Sequence, residues 1–181
     1  DVPIGHVTNG VHANSWLDPA LVALYNQYLP KGWQERPQDA GVWANIGAIP
    51  DADLWAARSA ARARLITWAK AAASACAAGD MGAALDDRTL TIGFARRFAG
   101  YKRATLLFRD PARLEKLLAG PRPVQFLISG KSHPGDSWGK HLIRDIVEFA
   151  RSAQARGRIL FLEDYAIDVA RQLVRGCDVW L

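Results

Sequence analysis

The second half of the chain has a rhythm that leaves few folds open. From residue 89, four apolar runs alternate with segments of helical periodicity. The runs are "TLTIGFA", "PVQFLIS", "RILFLE" and "CDVWL"; the segments between them are "ATLLFRDPARLEKLLAG", "DSWGKHLIRDIVEFARSA" and "AIDVARQLVRG". Strands that are apolar almost without interruption are buried on both faces, which is the situation of parallel strands covered by crossover helices. Right-handed crossovers then predict an α/β fold, a doubly wound parallel sheet of Rossmann type. A helix break is expected near Pro111, and "CDVWL" reads as the middle of a buried strand.

The first half reads differently. Residues 17–29 have helical spacing, with Asp18 as N-cap and Pro19 at the first helical position. The Pro- and Gly-containing stretch "PKGWQERPQDAGVW" reads as a loop. A long helix follows, started by Asp51 or Asp53 and stopped near Gly79. Its apolar stripe is Leu54, Ala57, Ala61, Leu65, Trp68, Ala72 and Ala75. Arg58, Arg62 and Lys70 fall off that stripe and read as a solvated face. The organisation expected is a linking and helical segment over 1–88, then βα units over 89–181.

Half of the residues are apolar, enough for a real core, and the formal net charge is +5. A sequence pI near 9.5 favours an anionic partner. Cys76 and Cys177 lie far apart without metal-ligand spacing to a histidine, which suggests a reduced, cytoplasmic protein. No membrane span, signal peptide or metal site is expected. The chain opens "DVPIGHV" without Met and stops on an apolar run, so it reads as part of a longer one.

In open α/β sheets ligands sit beyond the C-terminal ends of the strands. Three polar segments fall there: "RRFAGYKR", "SGKSHPGDSW" and "EDYA". In the first, Arg96, Arg97, Lys102 and Arg103 crowd into eight residues. Arg97 would leave the strand end and Lys102 would stand near the start of the next helix, where free N–H groups also favour an anion. A guanidinium and an ammonium there suit a phosphate, with Gly100 letting the backbone approach or turn. The alternative is a basic surface loop. Lys131 and His133 lie in a turning loop without Walker A spacing. Lys131 could be an ordinary exposed lysine, and His133 a loop-packing residue or an acid or base. Glu163 and Asp164 could be catalytic carboxylates, with helix capping the stronger role for Asp164; Tyr165 could simply pack the sheet edge. "HVTNGVHANSW" is rich in hydrogen-bonding groups, and Asn9-Gly10 signals a turn.

Taken in order, "TNGVHANSWL", "TIGFARRFAGYKRATLL", "GKSHPGDSWGKHLI" and "RILFLEDYAIDVARQLVRGCDVWL" resemble the α-glucan phosphorylases. These are pyridoxal-phosphate enzymes with a two-domain GT-B glycosyltransferase fold, and the match is to their shorter bacterial and archaeal branch, within the C-terminal domain. The resemblance implies reversible phosphorolysis of an α-1,4 glucan (glycogen, starch or maltodextrin) to glucose 1-phosphate. It implies that Arg97 and Lys102 hold the substrate phosphate, that Asn9 contacts the glucosyl unit, and that Lys131 lies on an active-site loop. Trp16 and Tyr165 match residues near pyridoxal 5'-phosphate. The lysine that carries that cofactor is expected beyond the point matching Leu181, so these residues alone should neither catalyse nor hold it covalently. A separate N-terminal domain as the other cleft wall also follows, and the family often forms dimers, which leaves a homodimer open for the full-length enzyme. Ala166 and Gly100 depart from the animal and plant branch, which has Arg and Glu there. Competing readings are a nucleotide-sugar transferase like glycogen synthase and a catalytically dead carbohydrate-binding module. Nucleic-acid binding is disfavoured because the aromatics are not interleaved with the cations.

Overall fold

A computed structural model describes residues 3–75 and 81–181. The four apolar runs form four strands, β1 (Leu90–Ala95), β2 (Val124–Ser129), β3 (Ile159–Leu162) and β4 (Val179–Trp180). All pair in parallel, in the order β3-β2-β1-β4. The rhythm of the sequence thus becomes the α/β sheet it predicts. Strands are added outward from β1 to β2 to β3, then the chain crosses back to place β4 on the other side of β1. That reversal between β1 and β4 is the topological switch point, where such sheets offer a crevice.

Six helices accompany the strands: α1 (Ala13–Trp16), α2 (Pro19–Tyr28), α3 (Asp51–Ala75), α4 (Pro111–Ala119), α5 (Ser137–Arg151) and α6 (Ile167–Gly176). Asp18 caps α2 as expected, its carboxylate accepting the Ala20 N–H at 2.8 Å. Asp51 opens α3, and the stop expected near Gly79 lies outside the described residues. Because crossovers are right-handed, the return to β4 puts α6 on the face opposite α4 and α5. α3 packs on α6, and its Leu65, Ile66 and Ala69 enter the same core as Phe126, Leu127, Ile128, Leu160 and Phe161. Gln125 is wholly buried yet fully used: its amide donates to the Asp86 carbonyl at 2.8 Å and to Thr91 Oγ1 at 2.7 Å, and its carbonyl accepts the Asp86 N–H at 2.9 Å.

Two expectations are corrected here. Within these 181 residues "CDVWL" is not a buried strand: β4 is two residues long, exposed, and paired with β1. Nor do Arg58 and Arg62 belong to a solvated face. Arg62 is only 5 % exposed and pairs with Asp178 at 2.8 Å, while its Nε donates to the Asp87 carbonyl at 2.6 Å. Arg58, one turn earlier, donates to the Arg175 carbonyl at 2.9 Å and the Cys177 carbonyl at 2.6 Å. These are carbonyls at the end of α6, which lack intrahelical partners and attract a cation. Of the expected stripe, Ala57, Ala61 and Leu65 are buried, whereas Leu54 and Ala75 are exposed. The stripe is narrower than its spacing suggests because the ends of α3 reach past the sheet. Lys70 is exposed, as expected.

Asp178 also accepts the Thr91 N–H at 2.9 Å, so one carboxylate joins α3, the end of α6 and the first residues of β1. Its neighbour Cys177 is buried, and burial pushes its thiol up to about 12, leaving it without thiolate character at neutral pH. Removing the buried Arg62 leaves Asp178 with only the longer contact to Arg58, at 3.4 Å, and the Thr91 N–H. Arg62→Ala should therefore lower the unfolding free energy by about 3 kcal/mol in urea denaturation. A loss under about 1 kcal/mol, the range of an exposed pair, would show that the clamp is not structural.

Candidate anion site at the strand ends

β1 ends at Ala95, but its ladder with β2 does not stop there. The Arg96 N–H donates to the Ser129 carbonyl at 3.3 Å and the Phe98 N–H to the Lys131 carbonyl at 3.0 Å. The loops "RRFAGYKR" and "SGKSHPGDSW" therefore leave the sheet side by side. Phe98 is wholly buried among Phe94 and Phe161, which pins the first loop while Arg96 and Arg97 stay exposed. Two glycines make the close approach of the loops feasible. A Cβ on Gly130 would lie 2.1 Å from the Arg96 carbonyl oxygen, and one on Gly139 would lie 2.5 Å from the Phe98 carbonyl oxygen. Asp136 caps α5 by accepting the Gly139 N–H at 2.9 Å, and the indole of Trp138 then lies against Gly100.

Several cations crowd together at this rim. Arg58, Arg62, Arg64, Arg144, Arg156 and Arg171 all meet a carboxylate. Among the described residues no carboxylate pairs with Arg96, Arg97, Lys102, Arg103 or Lys131. Lys102 lies over the Tyr101 ring, 4.7 Å from its centroid. Arg96, Lys102 and Arg103 line a cleft of about 330 Å³ with Phe94, Leu106 and Leu107, at the β1–β4 switch point.

One premise of the sequence argument fails. Lys102 does not precede a helix N-terminus: residues Gly100–Lys102 form a single 3-10 turn, and Leu106–Phe108 another. The next α-helix waits until Pro111, and Asp110 already caps it by accepting the Arg113 N–H at 3.0 Å. The Asp-Pro pair resets the backbone, so "ATLLF" turns without joining the helix. The anion site therefore rests on side-chain charge, with no helix terminus behind Lys102.

The remaining predicted residues divide by location. Lys131 is exposed at the end of β2, beside the Arg97 loop. His133 packs its own turn, its Nδ1 accepting the Gly135 N–H at 3.1 Å. Tyr165 is half-buried against the core at the end of β3. Arg97, Lys102, Lys131 and Tyr165 thus share one rim of the sheet. Asp164 does not cap α6, which starts at Ile167 with Ala166 at the cap position and no side-chain bond there; Asp164 instead adopts a left-handed φ of 53°. Asn9 lies on an exposed, irregular stretch, and Asn9-Gly10 forms no turn. Trp16 ends α1, where the neighbouring Ser15 carbonyl accepts from Arg175 in the last turn of α6 at 3.1 Å. Tyr165 precedes the first turn of that helix, so the two lie at opposite ends of about 15 Å of α-helix. Among the described residues the two stand apart along that helix. Sequence reasoning passed over Trp138 and the left-handed φ of Arg103; no local pattern signals either.

The fold and this rim define a Rossmann-like α/β unit with a cationic edge. Comparison with known proteins gives its kinship. No family model matches the chain. It is 42% identical over 191 residues to a glycogen phosphorylase of Mycobacterium tuberculosis, covering 100% of this chain and 22% of that protein. It is 41% identical over 189 residues to a glycogen phosphorylase of Aquifex aeolicus, covering 99% and 27%. To a maltodextrin phosphorylase of Thermococcus litoralis it is 36% identical over 186 residues, covering 100% and 22%. The chain belongs to the α-glucan phosphorylases, and it spans 22–27% of the length of these relatives.

The packing of the two loops gives a direct test. Gly130→Ala would drive a methyl into the Arg96 carbonyl and should cost about 3 kcal/mol in urea denaturation. A variant as stable as the parent would show that the loops are not held as described.

Proposed function

We propose that this chain forms the phosphate-holding wall of an α-glucan phosphorylase active site. One observation carries the reading: among the described residues, Arg96, Lys102 and Arg103 crowd into one cleft at the β1–β4 switch point with no carboxylate paired to them. Unpaired like charges repel, and a phosphate relieves that repulsion. Arg97 offers a planar fork to two phosphate oxygens and Lys102 a point charge to a third.

In the reaction proposed, the α-1,4 glycosidic bond at the non-reducing end breaks and a phosphate oxygen bonds to the glucosyl C1. A proton passes to the leaving sugar oxygen, and glucose 1-phosphate departs. Positive charge develops on the glucosyl ring, so the phosphate must be held still beside it; fixed cations do this without reorganising during reaction. Lys131 adds charge at the same rim. Asn9 is proposed to meet the glucosyl unit, and from its exposed stretch it would do so only across a second wall. Pyridoxal phosphate belongs to the proposal through the family resemblance alone, and no step is derived through it. The segment 1–88 is taken as leading into the βα units of 89–181.

Arg97 is exposed and makes no internal ion pair, so its loss should spare the fold. In the full-length enzyme, Arg97→Ala should reduce phosphorolysis by about a hundredfold or more with an unchanged melting temperature. Near-normal activity would overturn the phosphate assignment. The 181-residue chain alone should release no glucose 1-phosphate from glucan and phosphate; turnover by it would refute the reading of a single wall.

A further inference from the structure

Among the described residues, three other than glycine have a left-handed backbone: Arg103, Arg156 and Asp164, each with φ 53°. Arg103 and Arg156 make a matched pair. Each follows a three-residue 3-10 turn and closes it, Arg103 N–H donating to the Gly100 carbonyl at 3.3 Å and Arg156 N–H to the Ala153 carbonyl at 3.2 Å. Glycine or asparagine is the residue that such a backbone favours, so an arginine there must be explained by its side chain. Arg156 supplies its explanation inside the molecule: its guanidinium meets Glu115 at 3.6 Å. Arg103 has no acid partner among the described residues, and it lines the cleft that Lys102 and Arg96 also line.

We infer that Arg103 is a further phosphate-binding residue, the third cation of the site that Lys102 serves, with the missing acid supplied by the substrate. The inference rests on the phosphate reading given above and adds a residue to it. A left-handed backbone at a residue other than glycine, beside a cleft, is the kind of cost found at binding sites. The apolar side chains of Phe94, Leu106 and Leu107 along the same cleft strengthen the attraction by thinning the water around it.

Glycine accepts the left-handed backbone, so Arg103→Gly removes the guanidinium while keeping the turn. In the full-length enzyme, R103G should raise the KM for inorganic phosphate about tenfold or more, with the KM for glucan unchanged. R103K should recover part of that loss. R156G, with the same backbone and no part in the cleft, should leave the KM for phosphate unchanged and serves as the control. An unaltered KM for phosphate in R103G would overturn the inference. If R97A is impaired while R103G is silent, only the role of Arg103 fails; if both are silent, the phosphate reading fails with it. Should R103G not fold, R103N carries the same expectation and the same refutation.

Discussion

The carboxylate of Asp178 is where the separate parts of this structure meet. It stands between the end of α6 and the start of β4, takes Arg62 from α3, and accepts a backbone N–H from the first residues of β1. Arg58 reinforces the joint by binding the carbonyls that α6 leaves open. Together these contacts decide how α3 lies across the sheet and where β4 joins β1. They thereby decide where the switch point falls, and the cationic rim lies at that point. A buried ion pair is a modest source of stability compared with well-packed apolar groups, but it tolerates few alternative arrangements. In this fold the pair fixes position more than it adds stability.

The arginines show how one residue type takes two roles. Where an arginine meets a carboxylate or a row of carbonyls, its charge is spent within the fold. Where it stands on an exposed loop pinned by a buried phenylalanine, with no carboxylate paired to it among the described residues, its charge faces solvent. Phe98 and the two tightly packed glycines hold the rim rigid, so the unpaired cations do not swing away to find partners elsewhere.

How much of this was readable in advance follows from the range of the interactions. The strands, the helix cap at Asp18, the start of a helix at Asp51 and the placing of three polar loops at strand ends came from local patterns, and the structure has them there. The roles of Arg58 and Arg62 were misread because periodicity records only whether a position faces the main apolar stripe. It cannot report that the polar flank of α3 meets the end of another helix more than a hundred residues away. Lys102 was misplaced for a similar reason: a short apolar stretch before Asp-Pro fits a helix or a pair of tight turns equally well.

The sequence by itself determined the class of fold and the loops that gather at the strand ends, because burial on two faces and crossover handedness leave few other solutions. Tertiary structure alone decided which cations are neutralised, that Trp16 and Tyr165 stand at opposite ends of α6, and that Arg103 holds a left-handed backbone beside the cleft. Those outcomes depend on contacts between residues far apart in the chain, and no local pattern encodes the distance between them.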